Sequence, residues 1–399
     1  MRVVVALETR FDRTPDDRVW ARGWLEYPFW QRYLDVFDEV FVVARVRDVE
    51  HVPSNAKRAD GPKVSFVPVP YYVGPWQFAR RYLRLRRRLR EVLSPTDAVI
   101  VRAPGTIGGM LASTLRTVGR PYGVEVVGDP YDVFTPGGVR SVLRPLLRWW
   151  APRSLRRQCA QASAVAYVTA DTLQQRYPAS PDAFVTSYSS VDLPDEAFVT
   201  DARRCVSANE RFGVLFIGSL EQLYKGPDVL IPAVALGVGR GLNLELTIVG
   251  DGKHRPELEG LAHKCGINDR VRFTGYLPAG DSVRAELDRA DLFILPSRTE
   301  GLPRALIEAM ARGLPCLASK VGGIPELLSE EQLVQPADVD ALAVKMRDLL
   351  LDPARLTRLS KRNLQKAREF HSKSLQPRRR AFYEAVRAAT LRWQRSKSS

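Results

Sequence analysis

Thr299–Pro315 reads TEGLPRALIEAMARGLP, and its reading decides how the rest of the chain is parsed. Ahead of it runs the strand-like DLFILPS (Asp291–Ser297), and behind it a second strand begins at CLAS (Cys316–Ser319). Pro303 suits the first turn of a helix, where a missing N–H removes no bond, and Gly313 suits the position just past its end. The predicted unit is strand, loop, helix, strand. Its loop opens at the strand's carboxyl end, where open α/β sheets bind ligands. Ala305, Leu306, Ile307, Ala309, Met310 and Ala311 make the helix apolar on nearly every side, which marks it as buried. Glu308 sits among them, and a carboxylate there needs a partner or a raised pKa. Glu300 lies in the loop before the same helix. Two acids so spaced can hold two hydroxyl-bearing parts of one ligand, with the amides of the helix start between them. The plainer alternative is a core helix whose Glu308 is satisfied by an internal Arg or Lys.

With EGLPRALIE (Glu300–Glu308) at its centre, the chain resembles glycosyltransferase family 4. That family is retaining and nucleotide-sugar dependent, carries an E-x7-E signature, and has the GT-B fold: α/β, two Rossmann-like domains facing across a cleft. FIGSLEQLYKGPDVLI (Phe216–Ile231), LTIVGDGKHRPELEGLA (Leu246–Ala262), VRFTGYLP (Val271–Pro278) and CLASKVGGIPELL (Cys316–Leu328) extend the likeness in the family's order. The resemblance implies an acceptor-binding domain over residues 1–195 and a nucleotide-sugar domain over 210–370. Residues 371–399 would form a C-terminal helix crossing back to the first domain. Pro194–Glu210 reads as the linker.

The resemblance also assigns roles. Gly218, Ser219 and Lys225 would meet the donor diphosphate, Tyr276 and Leu277 the base, Glu300 the donor sugar and Glu308 the ribose, with Gly301 and Leu302 also binding the donor. Ser219 stands where the family often has an arginine, so the second cation would come from elsewhere, such as Arg298 or Arg304. Asp129 follows the strand Tyr122–Val127, where many members carry a histidine near the transferred bond. A carboxylate can accept the acceptor's proton, so Glu300 and Asp129 are the catalytic candidates. The donor is the substrate, a UDP-sugar before a GDP-sugar, and neither cofactor nor metal is implied. Asp338–Val339–Asp340 has the D-x-D pattern but reads as a helix N-cap. Where many members place a glycine pair after the first strand, this chain has ETRFDRTPDDR (Glu8–Arg18). The acceptor side is therefore left open. The aromatics Trp20, Trp24, Tyr27, Phe29 and Trp30 fit either a helix packed on the sheet or a glycan platform.

The 399 residues suggest two domains. The four dispersed cysteines form no C-x-x-C pair and point to a reducing compartment. Met1–Leu7 is too short for a signal peptide, and no apolar run approaches the roughly 20 residues of a spanning helix. The expected location is cytoplasmic. The net charge of +15 is concentrated. Residues 51–150 hold 16 Lys/Arg against 6 Asp/Glu, and residues 351–399 hold 14 against 3. Charge so placed suits an anionic partner. In Trp76–Leu93, Phe78, Tyr82, Leu85, Leu89 and Val92 form one apolar stripe, expected to dock on the protein's own sheet. Arg84, Arg87 and Arg88 would then touch the head groups of an anionic membrane. Arg140–Arg157 is a second basic, tryptophan-bearing run. The resulting expectation is a peripheral enzyme at the inner membrane face that extends a cell-surface polysaccharide or lipid-linked glycan. The alternatives are a sugar-nucleotide epimerase or hydrolase on the same fold, and a basic nucleic-acid-binding protein, for which no recognition motif is present.

Overall fold

The computed structural model describes residues 1–53, 56–133, 144–204 and 211–398. Cys205, residues 140–143 of the second basic run and residues 205–210 of the expected linker lie outside them. The chain divides into two compact α/β units. One comprises Met1–Pro130, Trp149–Tyr188 and Gln376–Ser399, the other Tyr131–Arg148 and Ser189–Leu375.

The second unit carries the E-x7-E segment. Its strands are β10 (Phe212–Ile217), β11 (Leu244–Val249), β12 (Val271–Gly275), β13 (Leu292–Leu295), β14 (Cys316–Ser319) and β15 (Leu333–Val334). They form one parallel sheet in the order β12-β11-β10-β13-β14-β15. β13 and β14 are buried along their whole length, as strands covered by helices on both faces must be. In this order the chain winds outward from β10 in one direction, then outward from β13 in the other. The topological switch therefore lies between β10 and β13, and a ligand crevice opens at their carboxyl ends.

The first unit has strands β1 (Arg2–Arg13), β2 (Val19–Ala21), β3 (Glu39–Asp48), β4 (Lys57–Arg58), β5 (Val64–Val69), β6 (Ala98–Ala103), β7 (Gly123–Val126), β8 (Ala164–Tyr167) and β9 (Phe184–Ser187). Parallel pairing gives β5-β3-β1-β6-β7-β8-β9, while the short β2 and β4 add antiparallel to the far end of β1. Trp30 and Tyr33 are fully buried and Phe29 nearly so, as packing requires, while Trp20 and Tyr27 are half-buried and Trp24 is 40% exposed. Phe382 and Tyr383 of the last helix (Ser372–Ser398) bury completely in this unit, with the Tyr383 ring 4.7 Å from that of Tyr33.

Within the sheet, Arg102 of β6 and Glu125 of β7 stand opposite each other and form a buried ion pair. Tyr33 Oη donates to Glu125 Oε2 at 2.8 Å and Tyr188 Oη to Oε1 at 2.7 Å. Burial works to raise the Glu125 pKa. The Arg102 charge and the two phenol hydrogen bonds outweigh it, so the carboxyl is held below its ordinary value.

The described part of the expected linker is not loose. Arg203 donates to the carbonyls of Leu287 (2.7 Å), Ala290 (2.5 Å) and Arg312 (3.1 Å). These are unpaired carbonyls at helix ends, where a guanidinium meets both orphan acceptors and the negative end of the helix dipole. The Arg203 amide adds a bond to Ser360 Oγ at 2.8 Å.

Candidate functional site

The central helix is Arg304–Ala311, with Pro303 as N-cap rather than inside the first turn. It ends in a Schellman motif: Leu314 N bonds Ala309 O at 3.0 Å and Gly313 N bonds Met310 O at 3.0 Å, with Gly313 at φ +62°. Leu306, Ile307, Ala309, Met310 and Ala311 are buried, as the all-round apolar pattern requires. Glu308 is half-buried. Among the described residues, no group hydrogen-bonds its carboxylate, so the internal Arg or Lys partner considered from sequence is not found. Burial raises its pKa above the ordinary value, against the pull of the Arg304 and Arg284 charges.

The loops after β10 and β13 meet at the switch. Lys225 Nζ donates to Glu300 Oε1 at 2.7 Å, and Ser297 Oγ donates to the same oxygen at 2.9 Å. Burial works to lower the Lys225 pKa, but the Glu300 charge, the Tyr224 phenol and the hydrogen bond to Glu300 together outweigh it, and the ammonium is held above its ordinary value. Gly218 provides the room: a Cβ there would lie 2.5 Å from Lys225 Cδ. Two braces hold the loops together. Arg298 makes a bidentate pair with Asp228 (2.9 and 2.8 Å) and also donates to Leu223 O at 2.8 Å. Behind Glu300, Gly322 lies at φ +52°, and a Cβ on it would sit 1.8 Å from Glu300 O. Gly323 N then bonds Gly301 O at 2.8 Å.

Of the expected donor residues, the structure brings Gly218, Lys225 and Glu300 into direct contact, and Gly301 is held in the same loop. Leu302 and Leu277 are half-buried against the core of this unit, and Tyr276 is exposed. Ser219 is exposed, its Oγ accepting the Glu221 amide at 3.3 Å. Arg298 is corrected: a guanidinium already forked onto Asp228 is a brace between loops, not a spare phosphate contact. Gly322 and Asp228 were missed. The VGG run signalled the first; the second gave no sequence signal, because its partner lies 70 residues away. Asp338 Oδ1 accepts the Ala341 amide at 2.9 Å, the N-cap role read from sequence. Among the described residues no three His, Cys, Asp or Glu side chains gather as a metal site would need.

Asp129 lies in the other unit and is buried. Tyr177 Oη donates to one of its carboxylate oxygens and Arg176 to the other. Arg84, Arg87 and Arg88 are exposed on the Gly74–Glu91 helix, with Arg87 paired to Glu91 at 3.1 Å. Leu85 and Leu89 dock inward as expected, whereas Tyr82 is 39% exposed. Trp76 and Leu83 are 77% and 76% exposed on the face opposite the docked leucines, a second stripe the sequence reading missed. Among the described residues no helix is long and apolar enough to cross a membrane.

Residues 201–366 match the family described as glycosyl transferases group 1. The chain is 30% identical over 315 residues to protein CapJ of Staphylococcus aureus, covering 78% of each chain. It is 35% identical over 169 residues to a GDP-mannose-dependent α-(1-6)-phosphatidylinositol monomannoside mannosyltransferase of Mycobacterium tuberculosis, covering 40% of this chain and 43% of that one. The fold matches that of HepE from Anabaena in complex with UDP-glucose. The TM-score is 0.65 at 15% identity, covering 96% of this chain and all of that one.

Proposed function

The chain belongs to the group 1 glycosyl transferases, and we propose that it moves a hexosyl group from a UDP-sugar to an acceptor hydroxyl with retention, without a metal ion. The observation that carries this reading is the Lys225–Glu300 pair at the mouth of the β10/β13 switch. A cation and a carboxylate held in one place present one group to a diphosphate and the other to sugar hydroxyls. When the donor enters, Lys225 turns its charge from Glu300 to the diphosphate, and Glu300 accepts from the sugar. Glu308 accepts from the ribose hydroxyls. The amides at the start of the Arg304–Ala311 helix add their positive dipole.

In the reaction the bond from the anomeric carbon to the diphosphate oxygen breaks, and the bond to the acceptor oxygen forms on the same face. The acceptor's proton passes to the departing diphosphate. Lys225 stabilises the charge that builds on the leaving group, the term that most often dominates such catalysis. Asp129 holds Arg176 and Tyr177, so we assign it to fixing the turn after β7 rather than to taking a proton. Trp76 and Leu83, set among arginines on an outward helix face, support attachment to an anionic membrane surface. The acceptor is then a glycan on a membrane lipid, at the cytoplasmic face.

The test is a thermal-shift panel of UDP- and GDP-sugars, followed by transfer assays with and without EDTA. The expected result is stabilisation by one UDP-sugar and turnover that survives chelation. Stabilisation by GDP-mannose instead overturns the donor assignment. Loss of turnover on chelation, restored by Mg²⁺ or Mn²⁺, overturns the metal-free mechanism.

A further inference from the structure

The first unit contains a cavity of about 520 Å³ at the carboxyl ends of β1 and β3, within the roughly 300–1,000 Å³ typical of small-molecule sites. Its origin is a bulge. β1 pairs with β3 in register as far as Ala6↔Val43 and resumes at Arg10↔Arg45, so Leu7, Glu8 and Thr9 stand against Ala44 alone. Bulges of this kind re-aim side chains beside functional sites. Here the bulge turns Glu8 into the start of the Thr106–Thr117 helix, where Oε2 accepts the Thr106 and Ile107 amides at 2.8 and 3.0 Å. Tyr72 Oη donates to Oε1 at 2.5 Å. The anion position at this helix start is thus filled by the protein's own carboxylate.

Beyond the bulge both strands continue and line the cavity with charge. Asp12 accepts from Arg22 (2.6 Å) and Arg47 (2.9 Å). Arg45 donates to Tyr72 O at 2.9 Å and to Glu8 O. Arg45 is also paired with the Glu8 carboxylate at 3.4 Å. Arg10 differs: it stands opposite Arg45 in the ladder, and among the described residues its side chain has no hydrogen bond or ion pair, so its charge is the one left for an anion in the cavity. The wall beside these arginines is Trp24, held edge-on by Phe29 with ring centroids 4.9 Å apart. An exposed indole face is apolar, and the C–H face of a sugar ring packs on it.

We propose that this cavity is the acceptor subsite and that it selects a sugar bearing an anionic group, with Arg10 bonding the anion and Trp24 stacking the ring. The proposal rests on the glycosyltransferase reading, and it explains why β1 carries charged residues from Glu8 onward, where many members of the family have a glycine pair. Carboxylated and phosphorylated sugars share the required chemistry.

The experiment is titration calorimetry on the full chain with methyl glucuronide, glucose 6-phosphate, methyl glucoside and inorganic phosphate, alongside UDP as a probe of the other unit. The anionic sugars should bind at least roughly ten-fold tighter than the neutral glucoside, the worth of one charge-assisted bond. Arg10→Gln should abolish that preference, and Trp24→Ala should weaken both anionic sugars; neither should change UDP binding. A stronger response to glucuronide assigns a uronic acid, and to glucose 6-phosphate a phosphorylated sugar. Equal binding of glucoside and glucuronide, or a preference surviving Arg10→Gln, overturns the proposal. So does inorganic phosphate binding as tightly as the sugar phosphate. Failure of UDP alone to bind overturns the donor reading and leaves the cavity result standing.

Discussion

Gly226→Ala puts the donor site to a geometric test. Gly226 lies at φ +75°, and a Cβ on it would fall 2.1 Å from the Pro296 carbonyl oxygen. Reaching even 3.0 Å, the closest a real Cβ comes, requires the two loops to part by 3.0 − 2.1, about 0.9 Å. Lys225 precedes this residue directly, and Glu300 follows Pro296 in the opposing loop. Added to the 2.7 Å Lys225–Glu300 contact, the shift gives about 3.6 Å, beyond hydrogen-bonding range. The left-handed backbone costs an alanine about 1–2 kcal/mol besides. Misplacement by about 1 Å lowers turnover by about 100-fold. The measurements are thermal melts, donor binding and initial rates with the nucleotide sugar that the panel selects. Gly260→Ala is the control, because it lies inside the Arg255–Lys264 helix with nothing within 4 Å of its Cβ position. It should stabilise by about 0.5–1 kcal/mol, the usual gain of alanine over glycine in a helix. Donor binding and turnover of Gly226→Ala within two-fold of wild type would refute the view that this close approach sets the site.

Lys225→Ala should lower turnover by roughly 100- to 1,000-fold, as does loss of a single charge-stabilising donor elsewhere, and should also lower the melting temperature, because the buried Glu300 loses its counter-ion; rates at saturating donor and thermal melts check it. Glu308 has a native pKa above the ordinary 4.5, so the folded state keeps a proton that the unfolded chain loses, and stability falls as pH rises from 4.5 through the raised value. Glu308→Gln should flatten that slope in denaturant titrations, and donor binding, which favours the ionised acid, should release a proton detectable by calorimetry in buffers of different ionisation enthalpy. Glu125→Ala leaves Arg102 buried without its counter-ion and should destabilise by about 3–5 kcal/mol, read from urea unfolding of the full chain. Replacing Arg84, Arg87 and Arg88 with Glu should release the protein from vesicles containing phosphatidylglycerol while UDP binding is unchanged; equal sedimentation of variant and wild type would show that this helix face serves something else.

Local pattern was enough for the core elements of the second unit. Parallel strands buried on both faces must be continuous apolar runs, so DLFILPS and CLAS announced themselves. A buried helix with one acid in it is equally visible one residue at a time, and its Gly313 end is a local backbone requirement. What the sequence could not determine is who pairs with whom across long separations. Arg298 looked available until Asp228 was found forked onto it, and Asp129 looked like a base until Tyr177 and Arg176 were found on its oxygens. Trp76 and Leu83 lie on the same helix as the docked leucines, and only the packing tells which stripe faces solvent. The bulge after Ala6 is legible only from register, because it exists as a mismatch between β1 and β3 rather than as a property of either strand. Hydrophobic burial acts residue by residue and leaves its period in the sequence. Charge pairing is satisfied by whatever partner the fold delivers, so the tertiary structure alone decides which charges are spent inside the protein and which are left for a ligand.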